Sequence, residues 1–229
     1  FHKTLTKNYY IYMKIEINVP TSINEITLGQ YQKYLKIAEN NPDGNFLDAK
    51  MIEIFCGIPL SESYKLKMSS VTAILDILNE LLNQTPHHIE RFKMNDVEYG
   101  FAPDLDELSL GEYIDLDNNV SSWDNMHVAM NVLYRPIKVS KVGKYNIEEY
   151  KVANPEAMKD MPLGAAIGSV FFLYNLGMEL SKHTILYSNN QTEMEAIQNQ
   201  LTSEQNGVGI NQFMDSLTEI LQDLKISLN

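Results

Sequence analysis

Asp115, Asp117 and Asn119 stand at alternate positions, as the first ligands of a calcium-binding loop do. Such a loop needs glycine at its sixth position and glutamate at its twelfth, and here those places hold Val120 and Met126. The run therefore describes a helix end and a turn, not a cation site. Asp104 and Asp106 repeat the alternation after Pro103, again without a fourth ligand. His87 and His88 are adjacent, so their side chains diverge. His127 and His183 have no ligand-type residue three or four positions further on. Cys56, the only cysteine, excludes an intrachain disulfide and a multi-cysteine zinc site, and its place between Phe55 and Gly57 suits a small buried thiol. The acidic pairs Glu148-Glu149 and Glu193 with Glu195 read as solvated charge. No nucleophile elbow, phosphate-binding loop or dinucleotide fingerprint occurs. These residues point to a protein that acts without catalysis, with no metal and no cofactor.

The elements that carry these residues follow from hydrophobic spacing. Met13 to Val19 alternates like a half-buried strand and ends at Pro20. Leu28, Tyr31, Leu35 and Ala38 recur at helical spacing behind Thr27, an N-cap. Phe46 to Phe55 forms a second helix, stopped by Gly57. Val71, Ile74, Leu75, Leu78, Leu81 and Leu82 make the apolar face of a third. Two alternating runs around Asn95-Asp96 predict a hairpin over 88–101, and Ile137 to Ile147 predicts another, turning near Gly143. A helix carrying Trp123, Met126 and Met130 is expected to stop at Pro136, and a long one to run from Leu163 to Leu186. The fold class is α+β and predominantly helical: helices packed around a small antiparallel sheet of hairpins, with a C-terminal amphipathic helix. Leu110, Tyr113, Ile114, Trp123, Met126, Met130, Leu133 and Tyr134 are the expected centre of the core.

Residues 1–12 read as an extension outside the fold, 13–188 as one globular domain, and 189–229 as an acidic helical appendage. From Gln191 onward six acidic residues face a single base, Lys225. In the appendage Ile210, Phe213, Met214, Leu217, Ile220, Leu221 and Leu224 form a narrow apolar seam at three-four spacing, the candidate partner-binding surface. Gly207 to Gly209 is expected to let that helix re-aim.

The formal charge of −12, from 30 acidic residues against 18 basic ones, argues against a broad grip on nucleic acid. The apolar run Pro162 to Met178 falls short of the roughly 20 residues a bilayer crossing needs. Its Gly164 and Gly168 are spaced as in a packed helix pair, and a buried core helix is the expectation. Ile26 to Tyr31 and Leu108 to Tyr113 also echo each other, as two helix starts with a hydroxyl cap and a polar residue at the third helical position.

The order LGEYIDLD (110–117), a polar spacer, Trp123, Met126, Met130 and LYRPI (133–137) resembles the small proteins encoded with the tape-measure genes of tailed bacteriophages. The likeness extends loosely through YNIEEYKVANPEAMKDMPL (145–163). It implies a tail assembly chaperone, or an associated virion-assembly factor, that binds a helical tape-measure protein in the host cytoplasm during assembly. A structural virion component, docked on a neighbouring subunit or a second copy through the last helix, is the first alternative. An enzyme with a site assembled from dispersed residues is the second. On the chaperone reading, deletion of 207–229 is expected to leave a folded body and to remove partner binding or self-association, checked by size exclusion and pull-down.

Overall fold

The computed structural model describes residues 17–141, 143–151, 154–188 and 206–224. The chain is α+β and predominantly helical. Its helices are α1 (Leu28–Ala38), α2 (Asn45–Cys56), α3 (Leu60–Ser63), α4 (Met68–Leu82), α5 (Leu110–Val120), α6 (Met126–Leu133), α7 (Leu163–Ser188) and α8 (Asn206–Asp223). Four strands, β1 (Arg91–Met94), β2 (Val97–Phe101), β3 (Tyr134–Lys141) and β4 (Lys144–Ile147), form one antiparallel sheet in the order β1-β2-β3-β4. Short 3-10 turns cover Ile23–Glu25, Trp123–Asn125 and Pro155–Asp160.

Local chemistry sets most boundaries. Thr27 and Ser109 each accept a hydrogen bond from a backbone N–H three residues on, and the Gln30 and Glu112 side chains accept from the cap N–H in return. Both echoed helix starts are thus capping boxes. Gly57 takes φ +69° and ends α2 in the left-handed region that a side chain disfavours. Asn95 and Asp96 both have positive φ and turn the first hairpin, and Gly143 turns the second.

Three boundaries differ from expectation. Residues 17–20 are extended without strand pairing, although Ile17 and Val19 still turn inward while Asn18 faces solvent; residues 13–16 lie outside the described residues. α6 ends at Leu133, and Tyr134 begins β3 at once, so Pro136 sits within a strand. Its lost N–H is accommodated beside an irregularity in the β3-β4 register between Ile137 and Val139. Gly207 to Gly209 falls inside α8, not in a link before it.

α7 is the axis of the core. Leu163, Ala165, Ala166, Ile167 and Val170 are fully buried. Glycine is needed on this helix because other chain segments come against its backbone: a Cβ at Gly164 would meet the Asn24 side chain, and one at Gly168 would lie 2.5 Å from the His87 carbonyl oxygen. The small-residue spacing serves packing within the chain. Leu28 N–H donates to Met161 O and Leu163 N–H to Ile26 O, so the starts of α1 and α7 are tied together.

The expected core centre divides in two. Trp123, Met126, Met130, Leu133 and Tyr134 are buried, whereas Leu110, Tyr113 and Ile114 are 75%, 43% and 46% exposed. The exposed three project from the outer side of α5, whose inner side presents Glu112, Leu116 and Val120. Trp123 lies edge-on to Tyr31, with ring centroids 5.1 Å apart. The indole N–H has no acceptor, so the residue contributes through packing. Trp123→Ala is expected to destabilise the fold by about 3–5 kcal/mol, measured by chemical denaturation; a shift near zero would mean the ring contributes nothing to the core.

Candidate functional site

The seam expected to bind a partner is turned toward the chain's own body. Met214, Leu217, Ile220, Leu221 and Leu224 are buried and belong to the same hydrophobic cluster as α7 and α6, while Phe213 is half-buried against it. The Ile210 side chain lies outside the described residues. Met214 is seated against Gly177 of α7, where a Cβ would collide with its sulfur. In this arrangement α8 is part of the core, and deleting 207–229 strips five buried apolar side chains from it. The amphipathic period is real, but the apolar face is already covered.

The acidic alternation at 115–119 lies inside α5. Successive alternate residues on a helix point about 200° apart, so these side chains cannot converge on one ion. Asp115 instead accepts a hydrogen bond from the Tyr150 hydroxyl at 2.8 Å. Among the described residues no group of three acidic, histidine or cysteine side chains is placed to hold a metal ion. Burial pushes the Cys56 thiol up to about 11, which leaves it protonated and unreactive at neutral pH. His183, Glu193 and Glu195 have side chains outside the described residues.

Two polar networks were not legible in the sequence, since each joins residues far apart along the chain. In the first, Glu112 accepts from Arg135 Nη1 at 2.7 Å while still capping α5 through Ser109. Burial pushes the Glu112 carboxyl up, but the two Ser109 hydrogen bonds and the Arg135 guanidinium outweigh it and hold it below the usual carboxylate range. This pair ties α5 to β3. In the second, Gln32 Nε2 donates to Trp123 O at 2.6 Å and lies 3.1 Å from His127 Nδ1. Because that amide nitrogen already faces a carbonyl, it is the donor, and Nδ1 accepts. Nε2 of His127 is then the protonated nitrogen and reaches Glu156 at 3.2 Å, with Lys159 on the other carboxylate oxygen at 2.7 Å.

Two of the open surfaces among the described residues bear on function. On α5 the exposed Leu110, Tyr113 and Ile114 form one stripe, and nothing lies within 4 Å of a Cβ built on Gly111. The same six-residue pattern in α1 has the opposite fate: Leu28 and Tyr31 are 0% and 6% exposed, and Gly29 is pressed against Lys159. The second surface is an open groove of about 830 Å³ between the loop after β2, the β3-β4 turn and α7. Its floor is aromatic. His88 stacks on Phe172 at 4.4 Å, and Phe101 stands edge-on to both.

No family model, curated protein or solved structure matches the chain. Among the described residues no helix is long and apolar enough to cross a membrane.

Burial and the nearby Lys159 ammonium push the His127 pKa below its ordinary 6.5, against the opposing pull of Glu156 and the Asp124 backbone. The contact with Glu156 at neutral pH is therefore a neutral N–H donating to a solvated carboxylate. As pH falls, the unfolded chain takes up this proton before the folded one does. The stabilisation is complete above roughly pH 6.5 and is lost progressively below it, toward the depressed folded value. His88, also lowered by burial against the raising influence of Glu90, acts in the same direction. Urea midpoints measured from pH 7.5 to 5 are expected to fall, and His127→Asn to reduce that slope; an unchanged slope would mean His127 titrates alike in both states.

Proposed function

We propose that this protein is a non-catalytic assembly factor of a tailed bacteriophage, a tail assembly chaperone whose α5 face holds an amphipathic helix of a tape-measure-type partner. The observation that carries this reading is the uncovered stripe of Leu110, Tyr113 and Ile114. It lies within the sequence that resembles proteins encoded with tape-measure genes. The structurally equivalent start of α1 supports it, because there the same pattern is packed beneath another segment of the chain. Residues at i, i+3 and i+4 form the kind of stripe that receives a helix through its own apolar face.

Charge favours the same partner chemistry. The chain is strongly acidic, and exposed Asp106 and Glu107 stand just ahead of the stripe. A partner helix flanked by basic residues is steered to this end, and the surplus charge keeps the loaded protein soluble. The complex would form in the host cytoplasm while the tail is being built. Working through α5 instead of α8 leaves the core intact during binding and release.

Leu110→Asp and Ile114→Asp, made in the full chain, are each expected to weaken binding of a purified helical tape-measure fragment by about 1–2 kcal/mol, with little change in unfolding midpoint. Calorimetry of the fragment and denaturation of each variant give the two measurements. Undiminished binding by both variants would remove the α5 reading. Recovery of the protein in stoichiometric amounts from purified particles would favour a virion component over a chaperone.

A further inference from the structure

The groove between the sheet and α7 has a charge and a floor of its own. Around its rim stand the carboxylates of Glu90, Asp104 and Asp106, and among the described residues Lys144 is the one lysine or arginine in its lining. His88 does not offset this acidity, because burial pushes its pKa down and leaves the imidazole neutral at pH 7. The floor consists of the stacked His88 and Phe172 rings with Phe101 edge-on beneath them. His88 Nδ1 is buried without a hydrogen-bond partner. Asp104 is held in place on the loop because its Oδ1 accepts from the Asp106 N–H at 3.0 Å.

A neutral aromatic floor under a predominantly acidic rim selects a cation with a flat face. Guanidinium meets both demands: it stacks on rings and donates to carboxylates in its own plane, whereas an ammonium is a compact, strongly hydrated point charge. The chain already uses this chemistry on the same wall. The Arg91 guanidinium lies over the Tyr145 ring at 4.3 Å, and the Tyr145 hydroxyl donates to Phe101 O at 2.7 Å, which fixes the ring at the groove's edge. Arg91 itself does not line the groove. A space of about 830 Å³ exceeds one side chain and admits a short stretch of peptide around it.

We infer that this groove is a receptor for an arginine side chain presented by a peptide segment of a partner protein. The guanidinium sits against the His88–Phe172 stack, and Asp104, Asp106 and Glu90 accept its N–H groups. The groove and the α5 stripe rest on separate observations, so either can fail without the other.

The full-length protein, labelled with nitrogen-15, is titrated with the blocked peptide acetyl-Gly-Arg-Leu-Gly-amide and with its citrulline counterpart, which has nearly the same shape and no charge. The arginine peptide is expected to shift the amides of Phe101, Ala102, Asp104, Leu105 and Asp106, and of Lys144 to Asn146, in a saturable way, and the citrulline peptide to leave them in place. Asp104→Asn with Asp106→Asn preserves the loop's hydrogen bond, since an asparagine carbonyl also accepts, and should weaken binding by roughly tenfold or more. Added salt should weaken it further. Equal shifts with both peptides, shifts confined to other surfaces, or no saturation up to about 10 mM peptide would each overturn the assignment.

Discussion

The structure depends on the way α6 passes into β3 without a loop. Tyr134 is at that junction and is completely buried. Its ring touches Phe92 and Phe101 from the first hairpin, and its hydroxyl reaches Ile89 O on one side and Ser169 Oγ on the other. Ser169 in turn bonds back to Ala165 O within α7. One side chain therefore joins the helical layer, the sheet and the central helix. Burial drives the phenol's pKa well above its ordinary value, so the group is a neutral hydroxyl at neutral pH. Two hydroxyl protons serve three contacts here, and removing the Tyr134 oxygen takes away the hydroxyl that donates to Ile89 O.

From this junction the other networks spread outward. Arg135, the next residue, reaches across to Glu112 and fixes α5 beside the sheet. On the far side of α6, Gln32 fixes α1 to the Trp123 turn and to His127. α5 is thereby held by its inner side alone. That is why its outer residues can stand in solvent without the helix being loose.

Legibility in the sequence followed the range of the interactions. Capping boxes at Thr27 and Ser109, the stop at Gly57 and the turns at Asn95-Asp96 and Gly143 depend on neighbours a few residues apart, and these were all readable. The end of α6 was placed too late because Pro136 looked like a helix stop, when the true cause is strand pairing of Tyr134 and Arg135 with Phe101 and Gly100. Exposure was the least readable property. Leu28 and Leu110 occupy the same place in the same local pattern, yet one is covered by chain that arrives from residues 158–163 and the other, among the described residues, stands 75% exposed. The seam of α8 follows the same rule: periodicity showed that the helix has an apolar side without showing that the chain's own core would meet it. The acidic groove has no linear signature, since its walls come from four separate stretches.

The pairing of Thr27 with Pro162 bears on how the protein is made. α1 is made before the segments that cover it, around Met161 and Leu163, which emerge only after the whole sheet. Until then Leu28 lacks the cover these residues supply, while Tyr31 can already pack against Trp123, and the nascent chain carries that apolar face incompletely buried. Burial of the α1 face is therefore completed only once the start of α7 has been made.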